Sequence, residues 1–136
     1  MQLWKREGSN KNVDTGKIFV VGTGPGSLEH ITPAARTAIE QSQVIVGYGT
    51  YLDLIKELLR DKEVVSTGMT QEVDRCRKAI DIAREGKTVA IVSGGDPGVY
   101  AMAGLVFELL RLEEEKSGRL PAVEVIPGIS ALNASA

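Results

Sequence analysis

Ser93-Gly94-Gly95-Asp96-Pro97-Gly98-Val99-Tyr100 is the stretch whose reading decides the fold. It follows the apolar run Thr88–Val92 and leads into a segment with Val99, Ala103, Val106, Phe107 and Leu110 at helical spacing. A strand that ends in glycines and passes through Asp-Pro into a helix is half of a βα unit, with Asp96 and Pro97 in the cap and first-turn positions. Working outward, four more apolar runs end in glycine-bearing turns: Gly22–Gly26, Gly47–Tyr51, Ser66–Met69 and Pro127–Ser130. Strands alternating with helices predict an open, mainly parallel five-stranded α/β sheet with helices on both faces. In such a sheet all five turns gather at the carboxyl edge, where ligands bind.

The expected strands are Lys17–Gly22, Val44–Val46, Glu63–Ser66, Thr88–Val92 and Val123–Ile126. Thr32-Pro33 opens a first helix whose body runs from Ala34 to Ser42. A second buries Tyr51, Leu54, Ile55, Leu58 and Leu59; a third spans about Thr70–Glu85 with Val73, Cys76, Ile80 and Ala83 inward, closed by Gly86. The helix after Asp96 turns Phe107 inward with Val99, Ala103, Val106 and Leu110 and stops at Ser117-Gly118. Residues 1–16 read as a flexible tail or leader. Residues 17–136 read as one domain, with Ile129–Ala136 as the first turns of a further helix without a stop signal, so that the chain reads as a fragment of a longer protein.

The chain has 136 residues, 43% hydrophobic and 25% charged, ordinary for a globular domain. A formal net charge of -2 and an aromatic content of 4% argue against nucleic acid, which needs basic patches and stacking platforms. No apolar stretch approaches the ~20 residues of a membrane span. One cysteine excludes an internal disulfide and suits the cytoplasm. No cluster suggests a metal site or a nucleophilic triad.

Two common glycine-rich readings fail on detail. The dinucleotide fingerprint G-x-G-x-x-G meets Ser27 at its sixth position, and the acid expected about 20 residues further on is missing, because the second strand ends in Gly47 and Tyr48. Gly86-Lys87-Thr88 spells the end of a phosphate-binding loop but precedes a strand instead of following one.

Gly22-Thr23-Gly24-Pro25-Gly26 followed by Thr32-Pro33-Ala34-Ala35, then Ser93–Tyr100, then Pro127–Ser130, resembles in order and spacing the tetrapyrrole methylase family. The resemblance covers residues 17–136. It implies a two-domain enzyme that moves a methyl group from S-adenosyl-L-methionine (SAM) to a corrin or porphyrin precursor, with SAM in the cleft between the domains. Val46–Ile55 and Gly98–Ala101 look most like the branch that methylates a cobalamin precursor at carbon 17 as its ring contracts. By the same resemblance Pro25, Gly94, Gly95, Asp96, Val99, Ser130 and Ala131 contact the cofactor. Gly22, Gly24, Gly26, Tyr48 and Tyr100 face a tetrapyrrole substrate, a precorrin or cobalt-precorrin. It also implies a homodimer for the full-length protein. Related methylases acting at other ring positions, or a SAM- or nucleotide-binding module without catalysis, remain alternatives.

The aspartate that some relatives carry after the tyrosine ending the second strand is Gly49 here, so no such base carries over, and the catalytic group is unassigned. Tyr48, Tyr51 and Tyr100 share the expected edge, and nothing in the sequence selects among them for the proton movements of ring contraction. By position alone Asp96 reads as a helix cap, and the surrounding Gly-Gly-Asp-Pro favours a cofactor contact. His30 reads as a solvated loop residue and Cys76 as a small buried hydrophobe.

Overall fold

The computed structural model describes residues 15–24, 31–68, 70–94, 96–117 and 120–128. Its elements run β1 (Lys17–Gly22), α1 (Pro33–Gln41), β2 (Val44–Tyr48), α2 (Gly49–Leu54), β3 (Glu63–Thr67), α3 (Glu72–Arg84), β4 (Thr88–Ser93), α4 (Asp96–Ser117) and β5 (Ala122–Ile126). A short 3-10 turn, Lys56–Leu59, follows α2. The strands form one sheet in the order β3-β2-β4-β1-β5, and every pairing is parallel.

The central strands are near-continuous apolar runs because both faces are covered. On one face Ile18, Val20, Val44, Val46, Val89 and Ile91 pack against α3 (Cys76, Ala79, Ile80, Ala83) and α4 (Met102, Ala103, Val106, Leu110). On the other, Phe19, Val21, Ile45, Ala90 and Val92 pack against α1 (Ala35, Ala38, Ile39) and against Leu52, Ile55 and Leu59. Alternation along each strand divides the two cores, as a two-residue repeat requires.

Helix α1 starts where its sequence cap stands: Ala35 N–H donates to Thr32 Oγ1 at 3.0 Å, with Pro33 opening the helix. Gly86 closes α3 at φ 99°, a conformation that favours glycine. Two residues expected in the tail are tied down: Gly16 N–H donates to Ala83 O and Thr15 Oγ1–H to Leu120 O.

Three inward faces differ from expectation. Helix α2 ends after Leu54, and Ile55 (φ -122°, ψ 23°) turns the chain into the 3-10 segment. The regular 3.6-residue spacing therefore breaks, leaving Tyr51 and Leu54 exposed while Leu52, Ile55 and Leu59 face the sheet. On α3 the inward stripe is Arg75, Cys76, Ala79, Ile80 and Ala83, and Val73 is exposed. On α4 the stripe through Val99, Met102, Ala103, Val106 and Leu110 passes beside Phe107, which one further step of 100° carries out to solvent. The expected helix from Ile129 to Ala136 lies outside the described residues.

Candidate functional site at the carboxyl edge

From β1 the chain passes to α1, on the face it shares with α2; from β4 it passes to α4, on the opposite face shared with α3. Because β1 and β4 are neighbours, the two connections leave a crevice between them, the topological switch point at which open α/β sheets bind ligands.

That crevice is built from bare backbone. Gly22 pairs in register with Ser93 at the ends of β1 and β4. Thr23, 2% exposed, gives both its N–H (2.9 Å) and its hydroxyl (3.2 Å) to Ser93 O, locking the two turns together. Gly24 follows at φ 80°, where a side chain is strained. Gly128, after β5, closes the other side: a Cβ there would lie 2.7 Å from Gly24 N. A Cβ on Gly22 would meet Val99 Cγ2 at 2.7 Å, so the fully buried Val99 acts as the floor beneath Gly22. Gly94 faces the Tyr51 ring, whose Cε1 and Cζ would lie 2.9 Å from a Cβ, and Tyr51 stands edge-on to Tyr48 with ring centroids 5.5 Å apart. Asp96 opens α4, so the N-terminal turn of that helix begins at this edge.

A groove of about 830 Å³ extends from the edge between α3 and α4, on the size scale of small-molecule sites. Tyr48, Tyr51, Ser93 and Gly98 form its end at the sheet, and Arg75, Glu72, Val73, Met102 and Glu108 are among its walls. Of the residues singled out in the sequence, the structure gathers Gly22, Gly24, Tyr48, Gly94, Asp96 and Val99 at this end of the sheet. Tyr100 is 59% exposed on α4 and does not line the groove. Pro25, Gly26, Gly95, Ser130 and Ala131 lie outside the described residues, as does His30. Thr23 and Arg75 were not anticipated. Position 75 shares the buried stripe with Ala79 and Ala83 at i+4 and i+8, and a charge on such a stripe is the signal that could have found it.

Cys76 is fully buried with its thiol 3.2 Å from Met102 Sδ. Burial pushes the thiol up to about 11, against a smaller downward pull from Arg75 and a small upward push from Glu72. A thiol so held is a packing group. Among the described residues no cluster of His, Cys, Asp or Glu is arranged to hold a metal ion, and no helix is long and apolar enough to cross a membrane.

Fold and site together define a parallel α/β domain with glycine-bearing turns at the carboxyl edge of its sheet, beside a groove of small-molecule size. The chain belongs to the tetrapyrrole (corrin/porphyrin) methylases, whose family model matches residues 17–136. It is 54% identical over 121 residues to the cobalt-factor III methyltransferase of Priestia megaterium, covering 89% of this chain and 22% of that protein. The crystal structure of the methyltransferase CobJ superposes with a TM-score of 0.76 at 37% identity, over 88% of this chain and 49% of that one. The uroporphyrin-III C-methyltransferase of Thermus thermophilus, complexed with S-adenosylhomocysteine, superposes at 0.65 with 29% identity, over 88% of this chain and 48% of that one. The chain thus spans half or less of the length of these proteins.

Proposed function

We propose that this chain is the N-terminal domain of a SAM-dependent C-methyltransferase of cobalamin biosynthesis. The complete protein methylates carbon 17 of cobalt-factor III or of precorrin-3B as the ring contracts. The observation that carries the reading is the switch point between β1 and β4, where Gly22 and Gly128 pack backbone to backbone and Gly94 packs on the Tyr51 ring, setting the shape of the edge onto which the groove lined by Tyr48, Tyr51, Ser93 and Gly98 opens. Family membership supports SAM as that ligand, and the relationship to a cobalt-factor III methyltransferase supports the ring.

The cofactor supplies a methyl group on a sulfonium, which needs neither a protein nucleophile nor a metal. The protein's task is to hold the two reactants in line and keep water out, which is where most of the rate is gained. In this reading Gly94, Gly95, Asp96 and Val99 shape the cofactor seat, with Pro25, Ser130 and Ala131 completing it. Gly22, Gly24, Gly26, Tyr48 and Tyr100 face the ring. The complete protein acts as a cytoplasmic homodimer with a second domain over the crevice.

The test is incubation of the complete protein with SAM carrying a 13C methyl group and with cobalt-factor III. Label at carbon 17 of the product is the expected outcome. Label at another ring carbon would move the protein to another branch of the family, and absence of transfer to any ring would overturn the proposal.

A further inference from the structure

Arg75 is 4% exposed on the first turn of α3, and it lines the groove that opens onto the crevice. Its Nε donates to Thr67 Oγ1 at 2.7 Å and its Nη2 to Gly68 O at 2.8 Å, so one edge of the guanidinium is held by the turn that follows β3. Thr67 Oγ1 in turn donates to Gly47 O at 3.3 Å, beside Tyr48, which ties the cation to the end of β2. The other edge, formed by Nη1 and the second N–H of Nη2, has no acceptor among the described residues.

No carboxylate lies within ion-pair distance of Arg75 among the described residues, although Glu72 and Glu108 line the same groove. Burying a cation without a counter-charge is unfavourable, and the cost is relieved when an anion arrives. A guanidinium fixed along one edge offers the remaining pair of parallel N–H groups as a fork that fits the two oxygens of a carboxylate.

We propose that Arg75 binds a carboxylate of the ligand held in this groove and so fixes that ligand's orientation. The assignment rests on the methyltransferase reading above, under which two ligands carry the required group: SAM at its amino-acid end, and the tetrapyrrole on its acetate and propionate arms. Both present the same chemistry to the fork. Glu72 and Glu108 at the walls disfavour an anion placed anywhere but at the guanidinium, which gives the groove one anion position.

The experiment measures binding to the complete protein and to its Arg75→Gln variant, using two ligand pairs. One pair is S-adenosylhomocysteine and its decarboxylated analogue; the other is cobalt-factor III and its methyl ester. In one pair Arg75→Gln should weaken the carboxylate form by on the order of 10- to 100-fold and leave the partner lacking the carboxylate unchanged, and the pair that responds identifies the ligand. Equal weakening within both pairs, or none, would reduce Arg75 to a tie for the turn at 67–68 and overturn the proposal.

Should Arg75→Gln fail to fold, Arg75→Lys keeps a cation and a donor toward Thr67, and should show a smaller but still carboxylate-selective loss. In the unsubstituted protein the Arg75 guanidinium N–H resonances should shift with the carboxylate form of the responding pair and stay fixed with its partner; no shift with either would contradict the assignment. Failure of the unsubstituted protein to bind any of the four ligands would overturn the methyltransferase reading and this assignment with it. That result is distinct from binding that ignores Arg75.

Discussion

Gly22 and Gly128 meet backbone to backbone: a Cβ on Gly22 would lie 2.8 Å from Gly128 N, and a Cβ on Gly128 would lie 2.8 Å from Gly22 O. Neither neighbour is the tip of a flexible side chain, so neither can step aside. The contact brings the end of β5 onto the end of β1 and sets one wall of the crevice.

Gly22→Ala should therefore destabilise the domain by about 1–3 kcal/mol, the usual range for overpacking, and weaken S-adenosylhomocysteine binding as the crevice is forced apart. Gly104 provides the contrast. A Cβ at Gly104, inside α4, meets nothing within 4 Å, and Gly104→Ala should stabilise by roughly 0.5–1 kcal/mol through helix propensity. Urea denaturation of the two variants checks the opposite signs; a neutral Gly22→Ala would mean the glycine contact does not constrain the edge.

Cys76 makes stability depend on alkaline pH. The folded protein holds the thiol proton until about pH 11, whereas the unfolded chain releases it near the ordinary value of 9.0. Stability from this group is whole below pH 9.0 and is lost as pH rises through about 11, by roughly 2–3 kcal/mol in all. Cys76→Ala should lower stability at neutral pH by opening space beside Met102, and its stability should fall less steeply between these pH values. Parallel stability curves for the two proteins would contradict the buried-thiol account.

Much of this architecture is legible in the residues. Each strand announces itself as an apolar run closed by glycine, and Thr32-Pro33 and Gly86 mark helix ends through chemistry that acts locally. What escapes is decided by tertiary context. Leu52 replaces Tyr51 and Leu54 as the inward side chain of α2 because the chain tightens at Ile55, which the leucine spacing does not reveal. Phe107 lies at the margin of a stripe whose width depends on how α3 and α4 pack. Within the site, Gly22, Gly24 and Gly94 stand out as glycines that a turn requires. Arg75 does not, because its one mark is its place on the stripe of Ala79 and Ala83, and in a charged helix that mark is faint without the partners of its guanidinium.

Cofactor selectivity follows from the end of β2. With Gly47 and Tyr48 where a dinucleotide site needs an acid, the complete protein should be stabilised by S-adenosylhomocysteine and not by NAD. At about 100 times Kd the gain is roughly 2.7 kcal/mol, readable as a thermal shift. A shift with NAD and none with S-adenosylhomocysteine would reverse the assignment.

The 136-residue chain alone should show no turnover. One wall of the crevice leaves the cofactor hydrated and the ring unoriented, forfeiting part of the ~7–11 kcal/mol that positioning supplies. Methyl transfer from labelled SAM, compared between this chain and the complete protein, measures the difference. Equal rates would show the second domain dispensable.

Under the proposed function the cofactor lies where β1 and β4 send the chain to opposite faces of the sheet. Amide chemical-shift mapping of the 15N-labelled complete protein during titration with S-adenosylhomocysteine locates it. Within this domain the largest shifts should fall on Gly22, Thr23, Gly24, Gly94, Val99 and Gly128 at the carboxyl edge. Shifts concentrated instead on Gln43, Lys62 and Gly86, at the amino end of the sheet, would contradict it.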